Sequence, residues 1–321
     1  MTAPSAQPAH AAMPAEAIAA EAMPSSPLRV GVAVVTYNSE PDVPGFVQSL
    51  REAAAHVPLR LVVADNASRD RTVARLREYD DLIAVDVLPS PDNRGYAAGI
   101  NAAAALLPAT APLLVLNPDT RVEAGCLEAL LAAGEDPSVG VVVPRLVDAA
   151  GRTQPSLRRD PSVLRAFAEA VLGGRRAGRL GVGEVVGDPA RYETAADVDW
   201  ATGAALLVTP AARAAVGDWD ERFFLYSEET DYLQRVRAAG LRVVFEPAAV
   251  VSHRGGAAHT DPALWTLLTL NRVRLFGRHH RVARFPFYLA VLVNEVVRIP
   301  AGRPHRRAAG ALLRRAPEVL R

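Results

Sequence analysis

The chain has 321 residues, of which 50% are hydrophobic, so it can bury a sizeable core and is not a disordered protein. Its formal net charge of +1 argues against a general nucleic-acid binder, and all 36 of its Lys and Arg residues are arginine. The single cysteine, Cys126, excludes an intrachain disulfide, cannot by itself make a metal site, and fits a reducing compartment.

Residues 1–27 are rich in Ala and Pro and lack the basic start and the continuous apolar stretch of a secretory signal. We expect them to form a disordered leader. No segment has the roughly 20 consecutive apolar residues that a membrane-spanning helix needs. The sequence therefore predicts a cytoplasmic protein, or one that is peripheral on the inner face of the cell membrane.

Strand and helix patterns alternate from Val30 onward, which predicts an α/β fold with a mostly parallel central sheet flanked by helices. The first helical pattern lies at 43–55, and residues 93–99 open another helix with small residues that allow close backbone approach. Apolar runs predict four strands in this half of the chain, at 30–35, 61–65, 82–88 and 113–116.

Polar residues stand where three of these strands end. They are Thr36, Tyr37 and Asn38 after the first strand, Asp65 at the end of the second, and Asn117-Pro118-Asp119 after the fourth. Because the carboxyl ends of parallel strands meet at one edge of a sheet, we expect these residues to lie close together. Acids gathered at such an edge suit a metal-bound diphosphate better than they suit a core.

The second half of the chain is patterned less regularly. Residues 151–193 are rich in Arg, Gly and Pro, which predicts a mobile loop with a short helix. Apolar runs at 241–245 and 248–252 predict two further strands. The second of these runs leads directly into His253, so its imidazole is expected at the same sheet edge as the acids.

An acidic helix precedes those two strands. A helical pattern at 223–239 places Glu228, Asp231 and Arg235 along one face. Several carboxylates thus lie near the start of this helix, and the positive end of a helix dipole favours them.

Six short motifs follow one another in a fixed order along the chain. They are Val35-Thr36-Tyr37-Asn38, Asp65-Asn66-Ala67-Ser68, Asn93-Arg94-Gly95-Tyr96, Asn117-Pro118-Asp119, Trp219-Asp220-Glu221-Arg222-Phe223-Phe224 and Tyr226-Ser227-Glu228-Glu229-Thr230-Asp231. Their order and spacing resemble those of family 2 glycosyltransferases of the GT-A fold. Within that family, the residues of the motifs most resemble those of bacterial rhamnosyltransferases. The resemblance spans roughly residues 30–276 and is specific for the family, but it is much weaker for the sugar.

The resemblance implies a nucleotide-sugar pocket at the sheet edge. Asp65 would accept a hydrogen bond from the imide N–H of uracil or thymine, although such a motif alone is more often a helix cap. Arg94 would contact the diphosphate, with a surface ion pair as the alternative. The implied nucleotide-sugar residues are Thr36, Tyr37, Asn38, Asp65, Asn93, Arg94, Gly95, Asn117 and Asp119.

A divalent cation, Mn²⁺ or Mg²⁺, is expected to stabilise the negative charge that grows on the diphosphate leaving group. By resemblance its ligands are Asp119 and His253. The family usually has two acids flanking one residue here, whereas this chain has Asn117 in the first place, which removes one charge. The alternatives are a strand-ending turn at 117–119 and a plain loop histidine at His253.

An inverting transfer needs one base to take the proton from the acceptor hydroxyl. The family's base lies in a Glu-Asp pair, and the matching pair here makes Glu229 the expected base, with Glu228 and Asp231 orienting the acceptor or the helix. The alternative is a solvated acidic helix start. Trp200 and Gly203 are expected to shape the acceptor site, and Trp200 is equally credible as a core residue.

The last part of the chain is strongly basic. From Asn271 it has twelve arginines against only Glu295 and Glu318. Interleaved apolar residues such as Phe285 and Leu289 predict basic amphipathic helices that lie on an anionic membrane surface. The alternative is a solvated helical tail that packs on the domain.

The predicted organisation is a leader at 1–27, a GT-A domain at 28–258 and a helical basic amphipathic extension at 259–321. The expected activity is inverting transfer of a sugar, with dTDP-L-rhamnose the favoured donor. The expected acceptor is a saccharide or a polyprenyl-linked saccharide in cell-surface glycan synthesis. The alternatives are glycosylation of a natural product and a catalytically inactive nucleotide-sugar-binding protein; no nucleic-acid partner is expected.

Overall fold

The structure is a computed structural model and describes residues 28–79, 83–255 and 261–319. The predicted leader at 1–27 lies outside the described residues. The strands are β1 (Val30–Thr36), β2 (Leu59–Asp65), β3 (Val85–Pro89), β4 (Leu113–Leu116), β5 (Thr120–Val122), β6 (Val139–Val147), β7 (Leu157–Arg158), β8 (Ala196–Asp197), β9 (Trp200–Ala201), β10 (Ala205–Val208) and β11 (Arg242–His253). The helices are α1 (Val43–Ala54), α2 (Thr72–Arg77), α3 (Tyr96–Ala105), α4 (Cys126–Ala133), α5 (Val163–Leu172), α6 (Gly174–Arg179), α7 (Pro210–Val216), α8 (Glu228–Ala238), α9 (Pro262–His279), α10 (Arg284–Val297), α11 (Arg303–Arg314) and α12 (Ala316–Val319).

A large mixed sheet lies at the centre of the fold. Across the described residues its strand order is β3, β2, β1, β4, β10, β6, β11, β5, and β8 also pairs with β11. Strands β3, β2, β1, β4, β6 and β11 run in one direction, whereas β10, β5 and β8 run against them. The prediction of an α/β fold with a mostly parallel sheet is therefore confirmed.

Helices cover both faces of this sheet, which explains why its central strands are continuous apolar runs. Every residue of β1 and β4 is buried. On one face, α1 packs Phe46, Val47 and Leu50 into the core with the spacing of an amphipathic helix. On the other face, α3 and α8 contribute Ile100 and Tyr232 to a second core.

The strand registers decide which polar side chains meet at the sheet edge. β1 pairs with β2 so that Thr36 stands opposite Asp65. β5 runs antiparallel to β11 with Thr120 opposite His253. Because Asp119 directly precedes β5, this register brings its carboxylate beside the imidazole of His253.

The acidic helix is shorter than predicted. It was expected at 223–239, but α8 begins only at Glu228. Tyr226 and Ser227, just before it, have left-handed φ angles of 68° and 75°, which an α-helix cannot contain. The helix predicted from the sequence therefore wrongly included a tight turn, which precedes α8 and directs its first residues.

The two strands predicted at 241–245 and 248–252 are one strand in the structure, β11. Its pairing with β6 shifts register between Glu246 and Val250. Pro247 lies in this interval and has no N–H to donate to the sheet, which explains the irregularity.

Residues 151–193 are more ordered than the predicted loop with a short helix. They contain β7, α5, α6 and a 3₁₀ turn at Pro189–Tyr192. Ser162 caps α5 by accepting a hydrogen bond from the backbone N–H of Arg165 at 3.2 Å. The prediction missed α5 because its buried face is narrow and polar in part, consisting of Ala166, Glu169 and Ala170.

Helices α9 to α12 share a third core with α5. Several apolar residues of the basic segment lie inside this core, including Phe276, Phe287 and Tyr288. Phe285 and Leu289 remain exposed. Among the described residues, none of the helices has both the length and the apolar character that crossing a membrane requires.

Candidate active site at the sheet edge

Asp65 ties the first two strands of the sheet edge together. Its Oδ1 accepts hydrogen bonds from Thr36 Oγ1 at 2.8 Å and from Ser68 Oγ at 2.6 Å. Its Oδ2 accepts from the backbone N–H of Ser68 at 3.0 Å. The carboxylate is only 2% exposed, so any contact with a base would use the remaining lone pair of Oδ2.

Tyr37 and Asn38 lie in the turn that follows β1. The ring of Tyr37 is half exposed, which leaves a face free to border a ligand. Asn38 has a left-handed φ of 52°, and its Oδ1 accepts from the backbone N–H of Arg69 at 2.8 Å. The side chain of Asn38 thus positions the two neighbouring loops.

The segment 93–95 forms a tight turn before α3. Asn93 Oδ1 accepts from the backbone N–H of Gly95 at 3.0 Å, and Gly95 has a φ of +92°. A Cβ at Gly95 would collide with the carbonyl oxygen of Phe224. Arg94 is largely exposed and pairs with Glu221 at 3.0 Å, which is the surface ion pair named above as its alternative role.

The hydroxyl of Tyr96 lies between Asn117 and the charges of the first turn of α8. Its hydroxyl donates to Oδ1 of Asn117 at 2.7 Å. Burial raises the pKa of Tyr96 well above its ordinary value, and the nearby charges of Glu228, Glu229 and Asp119 raise it further. Tyr96 therefore stays neutral and acts as a hydrogen-bond donor. Its hydrogen bond already occupies one lone pair of the Asn117 amide oxygen.

Asp119 and His253 face each other at the carboxyl ends of the strands. Asp119 Oδ1 lies 3.4 Å from His253 Nε2, and its Oδ2 accepts from the backbone N–H of Gly255 at 3.2 Å. Burial acts to raise the pKa of Asp119, but the hydrogen bond and charge of His253 outweigh it, so the pKa is lowered. His253 Nδ1 is buried and has no hydrogen-bond partner in the described part of the chain.

Glu228 and Glu229 open α8 directly after the left-handed turn. Glu228 is 3% exposed, and an Oε2 atom of each glutamate is buried with no hydrogen-bond partner among the described residues. Burial raises the pKa of Glu228 well above its ordinary value, and the adjacent Glu229 raises it further. Burial also raises the pKa of Glu229, although hydrogen bonds from backbone N–H groups and the charge of Arg158 act to lower it.

Gly203 lies against Glu229. A Cβ at Gly203 would stand 3.2 Å from Cβ of Glu229, so a larger residue would press on the carboxylate. Trp200 is 7% exposed, and its Nε1 donates to the carbonyl oxygen of Arg159 at 3.0 Å. The structure thus places Trp200 in the core, the alternative named for it.

Asp231 is turned to other partners than the two glutamates. It is 3% exposed and pairs with Arg235 Nε at 2.8 Å, one turn further along α8. It also lines a cavity of about 490 Å³ together with residues such as Arg278 and His279, whereas Glu228 and Glu229 are not among the lining residues. These contacts tie Asp231 to its own helix and to the cavity beside it.

Three residues around the site were not singled out from the sequence. Tyr96 belongs to a quoted motif, and that motif is the signal that points to it. Arg158 comes from the segment interpreted as a loop and acts on Glu229 through its charge. Asn271 of α9 donates to the carbonyl oxygens of Leu225 and Tyr226 at 3.0 and 3.3 Å, and nothing in its local sequence indicates that role.

Comparisons with known proteins identify the family of the chain. A family model described as Glycosyl transferase family 2 matches residues 31–181. An N-acetylglucosaminyl-diphospho-decaprenol L-rhamnosyltransferase of Mycobacterium tuberculosis is 33% identical over 248 residues, which is 72% of this chain and 78% of that protein. A Pre-mycofactocin glycosyltransferase of the same species is 30% identical over 236 residues, which is 72% of this chain and 44% of that protein.

Among solved structures, this fold is similar to the mannosyltransferase PcManGT from Pyrobaculum calidifontis, solved in complex with GDP-Man and Mn²⁺. The TM-score is 0.55 at 17% identity, over 91% of this chain and 76% of that one. At this identity the similarity shows the fold alone, which is the GT-A fold predicted from the motifs. The chain belongs to glycosyl transferase family 2 and is a glycosyltransferase.

Proposed function

We propose that this enzyme moves L-rhamnose from dTDP-L-rhamnose to a polyprenyl-linked saccharide, with inversion, in cell-surface glycan synthesis. The observation that carries the proposal is the carboxylate pair Glu228–Glu229. Each of these carboxylates has a buried oxygen without a hydrogen-bond partner among the described residues. The charges of the pair and of Asp119 all act on the Tyr96 hydroxyl. The printed name of the 33% identical mycobacterial relative supports both the sugar and the lipid-linked acceptor.

Glu229 acts as the base in this proposal. As a residue, Glu229 is only partly buried and lies beside Gly203, whereas Glu228 is 3% exposed and cannot reach an acceptor as easily. The acceptor hydroxyl loses its proton to Glu229 as its oxygen attacks the anomeric carbon. The bond from that carbon to the diphosphate breaks on the opposite face, and the nucleoside diphosphate leaves with the electron pair. The configuration at the anomeric carbon is thereby inverted.

Asp119 and His253 would hold a divalent cation, Mn²⁺ or Mg²⁺. Their carboxylate and imidazole face each other at 3.4 Å, so an oxygen and a nitrogen ligand stand side by side. No cluster of three or more His, Cys, Asp or Glu residues suited to a metal occurs in the described part of the chain. The donor diphosphate and water would supply further ligands. When bound, the cation supplies positive charge to the departing diphosphate.

The donor would lie between the turn after β1 and the Asp119–His253 pair. Tyr37 offers a half-exposed ring for the base, and Asn93, Arg94 and Gly95 form the turn that faces the diphosphate side. The resemblance assigns these roles, and the close approach of Gly95 to Phe224 keeps that turn next to α8.

A natural product is the second candidate acceptor. The 30% identical mycobacterial relative is named a Pre-mycofactocin glycosyltransferase, although this chain spans only 44% of its length. A water-soluble acceptor that is glycosylated faster than any lipid-linked saccharide would favour this candidate.

Calorimetric titration with dTDP, UDP and GDP, each with and without Mn²⁺, tests the donor site. We expect dTDP to bind most tightly and its affinity to fall when Mn²⁺ is removed. The same protein should then transfer rhamnose from dTDP-L-rhamnose to N-acetylglucosamine on a lipid diphosphate. Failure of all three nucleotides to bind would overturn the proposed donor site, and transfer from another donor would overturn the proposed sugar.

A further inference from the structure

Two helices that pack on each other expose apolar side chains to solvent. Arg298, just after α10, donates to the carbonyl oxygens of Glu169 and Ala170 near the end of α5, so the two helices end side by side. We call their outward apolar residues the α5–α10 surface. It consists of Leu164, Phe167, Val171 and Leu172 on α5, and of Phe285, Leu289, Val293, Val296 and Val297 on α10.

This exposure is local and periodic. Leu164 and Val171 are 82% and 80% exposed, and Phe285 is 58% exposed. Thirteen of the sixteen exposed large hydrophobic side chains in the described residues lie at 164–182 or 282–299. Phe285, Leu289 and Val293 recur every four residues, so they share one helix face. An apolar surface concentrated in this way marks an interaction site.

Basic residues lie on the helices that follow α5 and α10 in the chain, and in this sense flank the α5–α10 surface. α6 follows α5 after a single glycine, and α11 follows α10 after a short turn. The exposed arginines of these two helices have no carboxylate partner within the described ranges, in contrast to Arg272 and Arg278, which are paired. The unpaired arginines are Arg175, Arg176 and Arg179 on α6, and Arg303, Arg306, Arg307 and Arg314 on α11.

We propose that the α5–α10 surface docks on an anionic lipid bilayer. The apolar side chains enter the boundary between headgroups and acyl chains, and the flanking arginines bind anionic headgroups. A second copy of this chain fits the surface less well, because a symmetric contact would bring two sets of unpaired arginines together. The sequence alone attributed membrane binding to the basic C-terminal segment, whereas four of the nine residues of this surface come from α5.

Docking of this kind would hold the catalytic edge close to the bilayer. α9 packs with α10 and also contacts the turn before Glu228 through Asn271, so the surface and the site share one packed unit. The proposal does not depend on the identity of the sugar or of the acceptor, since vesicle binding is measured without substrate.

Sedimentation of the full chain with vesicles tests the proposal. We expect binding to phosphatidylcholine vesicles that contain phosphatidylglycerol, little binding to phosphatidylcholine alone, and weaker binding at high salt. Phe285→Ser combined with Leu289→Ser should weaken binding by about tenfold or more, because two apolar anchors are lost. Arg306→Gln combined with Arg307→Gln should weaken it by about tenfold or more as well.

Matched variants control for folding and for total charge. Phe285→Leu with Leu289→Met keeps the surface apolar and should bind like the wild type. Arg51→Gln with Arg77→Gln removes two exposed arginines of α1 and α2 and should bind nearly as well as the wild type. Each variant should unfold at the wild-type temperature, since the altered side chains are exposed.

Equal vesicle binding by the wild type and the Phe285→Ser, Leu289→Ser variant would overturn the proposal. So would a wild type that ignores anionic vesicles but forms a dimer that the same variant abolishes, because the surface would then be a contact between copies.

Discussion

At the scale of single residues, the surroundings of Glu228 and Glu229 disfavour the ionised form of both carboxyl groups. The helix start favours a negative charge by about 0.3–1 kcal/mol. Burial without a compensating partner raises a carboxyl pKa by as much as several units, each worth about 1.4 kcal/mol. Burial therefore wins, and the pKa values of Glu228 and Glu229 are raised. A base with a raised pKa accepts a proton more readily once it is ionised, which suits an acceptor hydroxyl.

The rate of transfer should depend on pH through this pair. A base must be ionised to act, so the rate should fall as pH decreases through the raised pKa, and this limb should lie above about pH 4.5, the ordinary range of a glutamate. Arg158 lowers the pKa of Glu229 by its charge, so Arg158→Met should move the limb to higher pH. The pH profile of kcat/KM measures both effects, and a limb that does not move in Arg158→Met would count against this coupling.

Gly95 should tolerate no side chain. Its φ of +92° and the collision of an added Cβ with Phe224 combine two costs, whereas Gly125 has a similar φ of +76° and open space around it. Gly95→Ala should therefore lower the free energy of unfolding by clearly more than the roughly 1 kcal/mol expected for Gly125→Ala. Urea unfolding of the two variants measures the difference. Equal losses would show that the contact with Phe224 costs nothing.

Which residues gather at the edge could be predicted from the sequence, and how they bond could not. Asp65, Asp119 and His253 each end or follow an apolar run, so their placement follows from the strand pattern. The bond from Tyr96 to Asn117 joins side chains far apart in the chain, and it depends on the packing of α3 against the sheet. Local patterns contain no information about such partners.

At the scale of elements, the turn before α8 is stabilised by hydrogen bonds from another helix, α9. The turn at Tyr226 and Ser227 is left-handed, and such residues pay a conformational cost of about 1–2 kcal/mol each. Asn271 of α9 is 1% exposed and donates to the carbonyl oxygens of Leu225 and Tyr226. The extension thus holds the turn that directs Glu228 and Glu229.

Loss of this support should reduce activity. Asn271→Ala leaves two carbonyl oxygens without their donor, which should cost about 1–3 kcal/mol of stability and lower kcat more than it raises KM for the donor. Thr266→Ala is the control on the same helix, because among the described residues its hydroxyl bonds to Pro262 within α9. A kcat for Asn271→Ala equal to that of Thr266→Ala would mean that α9 does not position the site.

The elements themselves were predicted where the periodicity is strong and missed where it is broken. The parallel strands and α1 follow continuous or amphipathic patterns. α5 was missed because its apolar residues face solvent and its buried face includes Glu169, which inverts the usual pattern. The turn before α8 was missed because neither Tyr226 nor Ser227 belongs to the residue types that commonly adopt positive φ.

At the scale of the whole molecule, a buried charge cluster joins the extension to the rest of the fold. Arg272 of α9 pairs with Glu169 of α5 and with Glu184. Burial acts to lower the pKa of Arg272, but the charges of the two glutamates outweigh it and raise the pKa. The arginine is therefore charged at every accessible pH, and it neutralises part of a doubly acidic site.

Removal of Arg272 should destabilise the whole molecule. Arg272→Ala leaves Glu169 and Glu184 buried without their cation, and this should cost about 3–5 kcal/mol of the free energy of unfolding. Arg281→Ala removes an exposed arginine and should change stability by less than about 0.5 kcal/mol. Thermal unfolding monitored by circular dichroism compares the two variants. A similar midpoint for both would contradict the claim that the Arg272 cluster holds the extension to the rest of the fold.

The most direct test of the account is single-turnover transfer from dTDP-L-rhamnose by the wild type and by Glu229→Gln, with donor affinity measured in the same samples. The amide keeps the shape of the side chain but cannot take the acceptor proton, so the rate should fall by about 10²–10⁴ with donor affinity unchanged. Glu228→Gln is the matched control and should retain far more activity. Near-wild-type turnover in Glu229→Gln would contradict the assignment of Glu229 as the base.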